Sequence, residues 1–126
     1  MATSVHSRSG FRKAIATLPG VTLHEQWDAL VAKVGGKVFA LCGDSGSSIV
    51  FKVSELTFEG LTTLGGIRQA AYFAKGQWVH VDKGAEISDA DLKLYLREAH
   101  RIIAGKLTRK MQAELGLSGV VGGDGR

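Results

Sequence analysis

The chain has little cysteine: Cys42 is the only one, so no disulfide can form within the chain. That cysteine ends an apolar stretch, which predicts a buried structural thiol. No apolar run approaches the roughly 18–20 residues of a membrane span, and residues 1–10 lack the apolar centre of a signal peptide. We therefore expect a cytoplasmic protein that does not interact with membranes.

Signatures of catalysis and of metal binding are missing as well. The histidines are scattered, and none stands at a metal-ligand spacing from another histidine or from Cys42. Residues 43–46 read Gly-Asp-Ser-Gly, as in chymotrypsin-like serine proteases, but the chain is too short for that fold and no histidine stands in a matching context. Residues 35–37, Gly-Gly-Lys, lack the remaining positions of a phosphate-binding loop. We expect no catalytic residues, no enzyme activity, no metal and no cofactor.

What the chain does have is a modest basic excess with an uneven distribution. The formal net charge is +4 over 126 residues, a length that suits one domain with its own core. Basic residues dominate the segment before Glu25 and the segment from Lys93 to Lys110, while the middle of the chain is nearly balanced. We assign residues 1–115 to a single domain and residues 116–126 to a flexible, glycine-rich tail.

Gly35-Gly36 is the clearest structural signal, because two glycines between apolar runs are typical of a two-residue hairpin turn. The turn would join one strand over residues 30–34 to another over residues 37–42. The resulting register pairs Leu30 with Leu41, Ala32 with Phe39, and Lys33 with Val38.

A second hairpin is predicted over residues 68–73 and 77–82, with its turn at Lys75-Gly76. A two-residue turn would place Tyr72 opposite Val79. Lysine does not suit the first turn position, where φ is positive, so a longer loop with a bulge is an equal alternative. Phe73 and Trp78 would share the other face; they are core residues if buried and base-stacking candidates if exposed.

Helices flank these strands. Ser7, Ser54 and Ser88 are predicted N-caps of three helices, the second over residues 55–64. Apolar residues recur at helical spacing from Leu92 to Leu107 in the last of them. Strands are also predicted over residues 21–27 and 49–53. Terminal helices around antiparallel strands indicate an α+β fold with two layers.

Basic residues near both turns and on the last helix are candidates for contacts with nucleic-acid phosphates. Lys33 and Lys37 flank the first turn and Lys75 lies in the second, so the two hairpins could act as basic wings on a duplex. Arg97 and Arg101 are one turn apart on the solvent side of the last helix. A solvated helix face, which would include Lys93, is the simpler explanation of these two arginines.

Several short motifs follow one another along the chain: Lys33-Val34-Gly35-Gly36-Lys37-Val38-Phe39-Ala40, Phe51-Lys52-Val53-Ser54, Tyr72, Lys75-Gly76, Trp78-Val79-His80-Val81 and Ala104-Gly105-Lys106-Leu107. In their order and spacing, these motifs resemble the MmcQ/YjbR-like family of small bacterial proteins over about residues 11–110. Ala99-His100 and Thr108 depart from the family pattern, which often has Ser-Tyr and usually a proline at these places.

The resemblance implies a fold similar to type III secretion chaperones, with a curved antiparallel sheet packed against N- and C-terminal helices. Some members have been described as DNA-binding through a double-wing arrangement. By position, the wings here would be the hairpins at Gly35-Gly36 and Lys75-Gly76. The resemblance supplies no catalytic residues.

The first hypothesis is therefore a monomeric DNA-binding module. The alternative is a module that binds another protein or a peptide, as secretion chaperones do; an open sheet edge or an exposed apolar face would favour it. A third is a small-molecule-binding domain, favoured if Trp78, His80 and Tyr72 enclose a pocket. The candidate phosphate contacts of the first hypothesis are Lys33, Lys37, Lys75, Arg97 and Arg101.

Overall fold

A computed structural model describes residues 5, 7–26, 28–43 and 48–121 of the chain. The Gly-Asp-Ser-Gly segment of residues 43–46 lies mostly outside these residues, as does the end of the predicted tail. The helices and strands, in chain order, are α1 (Arg8–Ala16), β1 (Val21–Gln26), β2 (Ala29–Val34), β3 (Lys37–Cys42), β4 (Ser48–Lys52), α2 (Glu55–Leu61), β5 (Ile67–Gln69), β6 (Trp78–Asp82), α3 (Asp89–Ala104), α4 (Arg109–Glu114) and α5 (Ser118–Val121).

The strands form one curved antiparallel sheet in the order β1-β2-β3-β4-β6-β5. Helix α3 packs across β2, β3 and β4, and α1 packs against α3. Phe11, Phe39, Phe51 and Leu96 are fully buried between the sheet and the helices. Burial of such side chains is the main driving force for this packing, at roughly 1.5–3 kcal/mol for each. The predicted two-layer α+β fold is confirmed.

Local signals at the helix starts are confirmed. The side chain of Ser7 accepts a hydrogen bond from the backbone N–H of Gly10 at 2.9 Å. The side chains of Ser54 and Ser88 likewise accept hydrogen bonds from the backbone N–H groups three residues later, those of Thr57 and Asp91, each at 3.1 Å. Each bond satisfies a backbone donor that the helix itself leaves unpaired. Helix α2 ends at Leu61, three residues earlier than predicted.

The Gly35-Gly36 turn forms as predicted. Both residues have positive φ, 58° and 82°, which is the conformation of a mirror-image hairpin turn. Gly35 has a second constraint, because a Cβ there would lie 2.6 Å from Cδ1 of Leu107, which follows α3. The first hairpin therefore packs its tip against the end of α3.

A β-bulge shifts the register of the first hairpin. Lys33 pairs with Val38 as predicted, but Ala32 pairs with Ala40, and Phe39 is the extra residue. The predicted pair of Ala32 with Phe39 is wrong by one residue. The predicted pair of Leu30 with Leu41 is wrong by one residue as well, because Leu30 pairs with Cys42. The bulge lets Phe39 and its neighbour both bury their side chains in the core.

The second hairpin is shorter than predicted, and its predicted register is wrong. Val79 pairs with Gln69 instead of Tyr72, because β5 ends at Gln69 and residues 70–77 form a loop before β6. Of the two alternatives, the structure has the longer loop. Tyr72 lies in this loop with a φ of 70° and is fully exposed.

The folded region extends beyond the predicted domain boundary. Leu117 is fully buried in the core, and residues 118–121 form α5. Leu117 contributes to the same core as α3, so residues 117–121, which the prediction placed in the tail, belong to the folded structure. Cys42 is buried as predicted, and this burial raises the pKa of its thiol. No helix within the described part of the chain is long and apolar enough to cross a membrane.

Candidate nucleic-acid interface

The two hairpin connections lie at the same end of the sheet. Because β3 runs antiparallel to β4, the start of β3 at Lys37 lies beside the end of β4 at Lys52. Lys52 pairs with Trp78, the first residue of β6. Gly35-Gly36 and residues 70–77 therefore project from one end, which we call the turn end. The two hairpin axes are three strand spacings apart, about 14 Å.

Besides Lys33, whose face of the hairpin is described below, four lysines lie at the turn end. Lys37 and Lys75 are exposed, as predicted for hairpin tips, and Lys106 is exposed just after α3. Lys52 is only 6% exposed, and its Nζ donates a hydrogen bond to Oε1 of Gln77 at 2.7 Å. Burial lowers the pKa of Lys52, and the nearby Lys106 lowers it further.

Lys52 and Lys106 were missed by the sequence analysis. Neither lies in a predicted turn, and their proximity arises from the return of α3 across the sheet. Their position in the quoted family motifs is the signal that could have singled them out.

Lys33 and Lys37 point to opposite faces of the first hairpin. Residues that pair directly across antiparallel strands share a face. Lys37 pairs with Val34, which belongs to the core beneath the helices, whereas Lys33 pairs with Val38 on the other face. The first hairpin thus carries one lysine on each face near its tip.

Arg97 and Arg101 lie elsewhere, on the outer surface of α3. Arg97 is exposed, while Arg101 forms an ion pair with Glu98 one turn before it. The hydrogen bond from Arg101 is the main cause of the lowered pKa of Glu98. The five predicted contacts therefore divide between the turn end, the far face of the first hairpin and the helical surface.

Several carboxylates lie at the opposite end of the sheet. Glu25 and Asp28 lie at the β1–β2 connection, and Asp82 ends β6. Arginines neutralise two of them, since Arg8 forms an ion pair with Glu25 and Arg68 forms one with Asp82. At the turn end, Glu55 is close enough to Lys52 to raise its pKa, against the larger effect of burial. Both ends of the sheet therefore carry charges of both signs.

One side chain organises the loop over residues 70–77. The Nε2 of Gln69 donates to the backbone oxygens of Ala70 and Phe73 at 2.8 and 3.1 Å, and to that of Ala74 at 3.4 Å. Its Oε1 accepts from the backbone N–H of Gly76 at 2.9 Å. The Gln69 amide therefore replaces the ladder hydrogen bonds that a tighter hairpin would have made.

The loop presents aromatic side chains. The rings of Phe73 and Trp78 pack 4.4 Å apart at a tilt of 32°, and both are half-buried. Tyr72, beside them in sequence, is the most exposed large hydrophobic residue described. Phe73 and Trp78 are thus neither core residues nor freely solvated.

His80 belongs to a polar cluster on the sheet. Asp82 receives a hydrogen bond from Arg68 at 2.7 Å and lies 3.2 Å from Nε2 of His80. Burial, followed by the charge of Arg68, lowers the pKa of His80. Since Tyr72 is fully exposed, Trp78, His80 and Tyr72 do not enclose the pocket that would favour a small-molecule function. Within the described residues, no three metal-ligating side chains meet.

Comparisons with known proteins agree with this fold. Residues 16–102 match the family model YjbR. In structure, the chain is similar to protein DR2400 of Deinococcus radiodurans, of domain family DUF419, with a TM-score of 0.80, 23% identity and coverage of 93% of each chain. A Pseudomonas syringae protein gives a TM-score of 0.63 and 17% identity over 77% of this chain and 98% of its own.

At these identities, the structural likenesses show the fold alone. A comparison with curated proteins gives no match. The family match spans most of the chain and confirms the resemblance found in the motifs. The chain belongs to the YjbR family.

Proposed function

We propose that the protein binds nucleic acid through the turn end of its sheet. The observation that carries the proposal is the projection of Gly35-Gly36 and residues 70–77 from one end, with exposed lysines at both. Phosphate contacts need cations that reach a common surface without acidic neighbours. Lys37 and Lys75 are exposed at the turn end, whereas the arginines Arg8 and Arg68 at the opposite end form ion pairs with Glu25 and Asp82. This contrast favours the turn end as the binding surface.

Each basic residue has a distinct part in the proposal. Lys37, Lys75 and Lys106 are exposed and would contact phosphates directly. Lys52 is buried and hydrogen-bonded, so it would support the loop and add to the positive potential. Lys33, on the other face of the hairpin, would contact a strand that passes around the tip.

Arg97 and Arg101 form a second, weaker candidate surface. Arg101 already has Glu98 as a partner, and breaking that ion pair would oppose binding. Arg97 is the better candidate of the two because its side chain is exposed. A long nucleic acid would have to extend from the turn end along α3 to reach it.

The separation of the hairpins suits a nucleic acid. Their axes are about 14 Å apart, close to the roughly 12 Å width of a duplex major groove. Two basic tips at this spacing could contact the phosphates on either side of one groove. No arginine or asparagine lies at the tips to read bases by paired hydrogen bonds, so the proposal concerns backbone contacts.

Fluorescence anisotropy with labelled DNA tests the proposal. We expect Lys37→Glu/Lys75→Glu to weaken binding at least tenfold, and the slope of log K against log salt to fall by about 0.9 for each lost duplex contact. Lys83→Glu/Lys93→Glu is the matched control, since it removes the same charge at exposed positions away from the turn end. Equal losses in the two variants would contradict a defined interface.

The free edge of β1 favours a second candidate function, binding of a peptide. Among the strands that the structure describes, β1 pairs only with β2 and lies at the edge of the sheet, where an added strand could form main-chain hydrogen bonds. A bound peptide should slow amide hydrogen exchange in Val21–Gln26. Protection confined to the turn end would contradict this mode.

A further inference from the structure

We infer that the loop over residues 70–77 is a platform for unpaired nucleobases, so that single-stranded nucleic acid is preferred over the duplex whose groove the two basic tips could also span. The inference rests on the proposed function and specifies its ligand. Its basis is the exposed side chain of Tyr72, on a loop whose backbone is held by hydrogen bonds from the side chain of Gln69. Binding proteins for single strands combine such aromatic surfaces with cations that follow the backbone.

Tyr72 is held in an unfavourable backbone conformation at a position where its ring contacts solvent. Its φ of 70° lies in the left-handed region, which disfavours residues other than glycine, asparagine and aspartate. Its side chain is fully exposed, so no burial of the ring compensates for this strain. Strain of this kind persists only where the surroundings impose it, and it is concentrated at functional sites.

The surroundings that impose the conformation are the contacts of Gln69. Its amide holds the backbone on both sides of Tyr72, through the oxygens of Ala70 and Phe73 and the N–H of Gly76. At the base of the loop, the backbone N–H of Val53 donates to the oxygen of Gln77 at 2.9 Å. The loop is therefore ordered before any ligand binds, which reduces the entropic cost of stacking on it.

The chemistry around Tyr72 fits a base and its phosphate. Phe73, the next residue, packs against Trp78, and both of these rings are half-buried. Lys75 is exposed three residues later in the same loop. An unpaired base could stack on an exposed ring while the adjoining phosphate contacts Lys75. A base inside a duplex has both faces covered by its neighbours and cannot stack in this way.

The test compares three ligands of equal length on the full chain: a labelled thymidine dodecamer, a 12-base-pair duplex, and an abasic strand with the same phosphates. The thymidine dodecamer should bind at least fivefold more tightly than the abasic strand. In a Trp27→Phe background, Trp78 is the only tryptophan, and the thymidine dodecamer should quench its fluorescence.

Tyr72→Gly is the decisive variant. Glycine suits the positive φ, so the substitution removes the ring without disturbing the loop. We expect it to weaken binding of the thymidine dodecamer about tenfold or more, while duplex and abasic-strand affinities change less than twofold. Tyr72→Phe retains the ring and should keep wild-type affinity.

The possible failures are distinguishable. If all three ligands bind alike and Tyr72→Gly has no effect, the platform is wrong while the basic interface stands. The platform is also wrong if the thymidine dodecamer leaves Trp78 fluorescence unchanged and binds no better than the abasic strand. If none of the three ligands binds the protein, both the proposed nucleic-acid binding and the base-stacking platform are wrong.

Discussion

The side-chain Oε1 of Gln69 accepts a hydrogen bond from the backbone N–H of Gly76 at 2.9 Å, across the second hairpin. The same amide donates to backbone oxygens in the first half of the loop. A single side chain thus bridges the two halves of the loop that carries Tyr72. This relationship makes the loop a fixed part of the surface at the turn end.

Gln69→Ala should release the loop. The substitution leaves several loop backbone groups without their partner, so we expect a loss of about 1–3 kcal/mol in the free energy of unfolding. Amide hydrogen exchange in residues 70–77 should accelerate more than in β4. Urea unfolding measures the first effect, and exchange monitored by NMR measures the second.

Glu59→Ala is a suitable control for this change, since Glu59 is an exposed residue of α2 away from the loop. It should alter stability by less than about 0.5 kcal/mol. If Gln69→Ala leaves both stability and loop exchange at wild-type values, the amide does not hold the loop.

The two glycines of the first turn should differ in their tolerance of alanine. Both have positive φ, so alanine at either costs roughly 1–2 kcal/mol in backbone strain. At Gly36 the added methyl group meets open space, whereas at Gly35 it meets the side chain of Leu107. Urea unfolding should therefore show Gly35→Ala as the less stable of the two variants.

Shortening the side chain of Leu107 separates the two costs of Gly35→Ala, the backbone strain at positive φ and the steric conflict with Leu107. In a Leu107→Ala background the penalty of Gly35→Ala should approach that of Gly36→Ala, because the methyl group then has space. A penalty that stays larger by the original margin would show that the contact with Leu107 does not matter. The double-mutant cycle gives the coupling directly.

Features set by neighbouring residues could be predicted from the sequence, and those set by packing could not. Ser88 and Gly35 were assigned correctly because a cap and a turn depend on a few adjacent positions. The bulge at Phe39 depends on how its ring meets α3, which no pattern in β3 reveals. Tyr72 was paired with a strand because the alternation of apolar residues continues past the true end of β5.

The candidate site shows the same division. Lysines beside a recognisable turn, such as Lys37 and Lys75, were found, since their place at a tip follows from the turn itself. Lys52 and Lys106 are distant in sequence and become neighbours only when α3 returns to the turn end. The family motifs could have singled out both residues, but that they are neighbours could not be predicted before the fold was known.

Stability should decline as pH falls below about 6.5, the usual pKa of histidine. His100 is buried, donates to the backbone oxygen of Pro19 at 2.8 Å and packs edge-on against Phe39. Its burial lowers the pKa of His100 in spite of that hydrogen bond. The unfolded chain therefore binds the proton more readily, and stability is lost as pH drops from about 6.5 toward the folded-state pKa.

The pH dependence of urea unfolding between pH 5 and 8 checks this sign. Each such histidine contributes a slope of at most about 1.4 kcal/mol per pH unit. His100→Gln should flatten the profile in this range, because it removes the buried group whose pKa is lowered. His80, whose pKa is also lowered, accounts for part of the remaining slope. A rise in stability on acidification would contradict the assignment.

Lys106→Met should raise the pKa of Lys52. The ammonium of Lys106 disfavours a second positive charge on the buried Lys52, and its removal leaves burial as the main cause of the lowered pKa. Titration of the lysine Cε resonances by NMR, with Lys52→Arg to assign the signal, measures the shift. Lys83→Met removes an exposed charge away from the turn end and should leave the Lys52 titration unchanged.

A bound nucleic acid should raise the pKa of Lys52 by supplying negative charge. An unchanged pKa of Lys52 on saturation with DNA would therefore argue against phosphate contacts at this end.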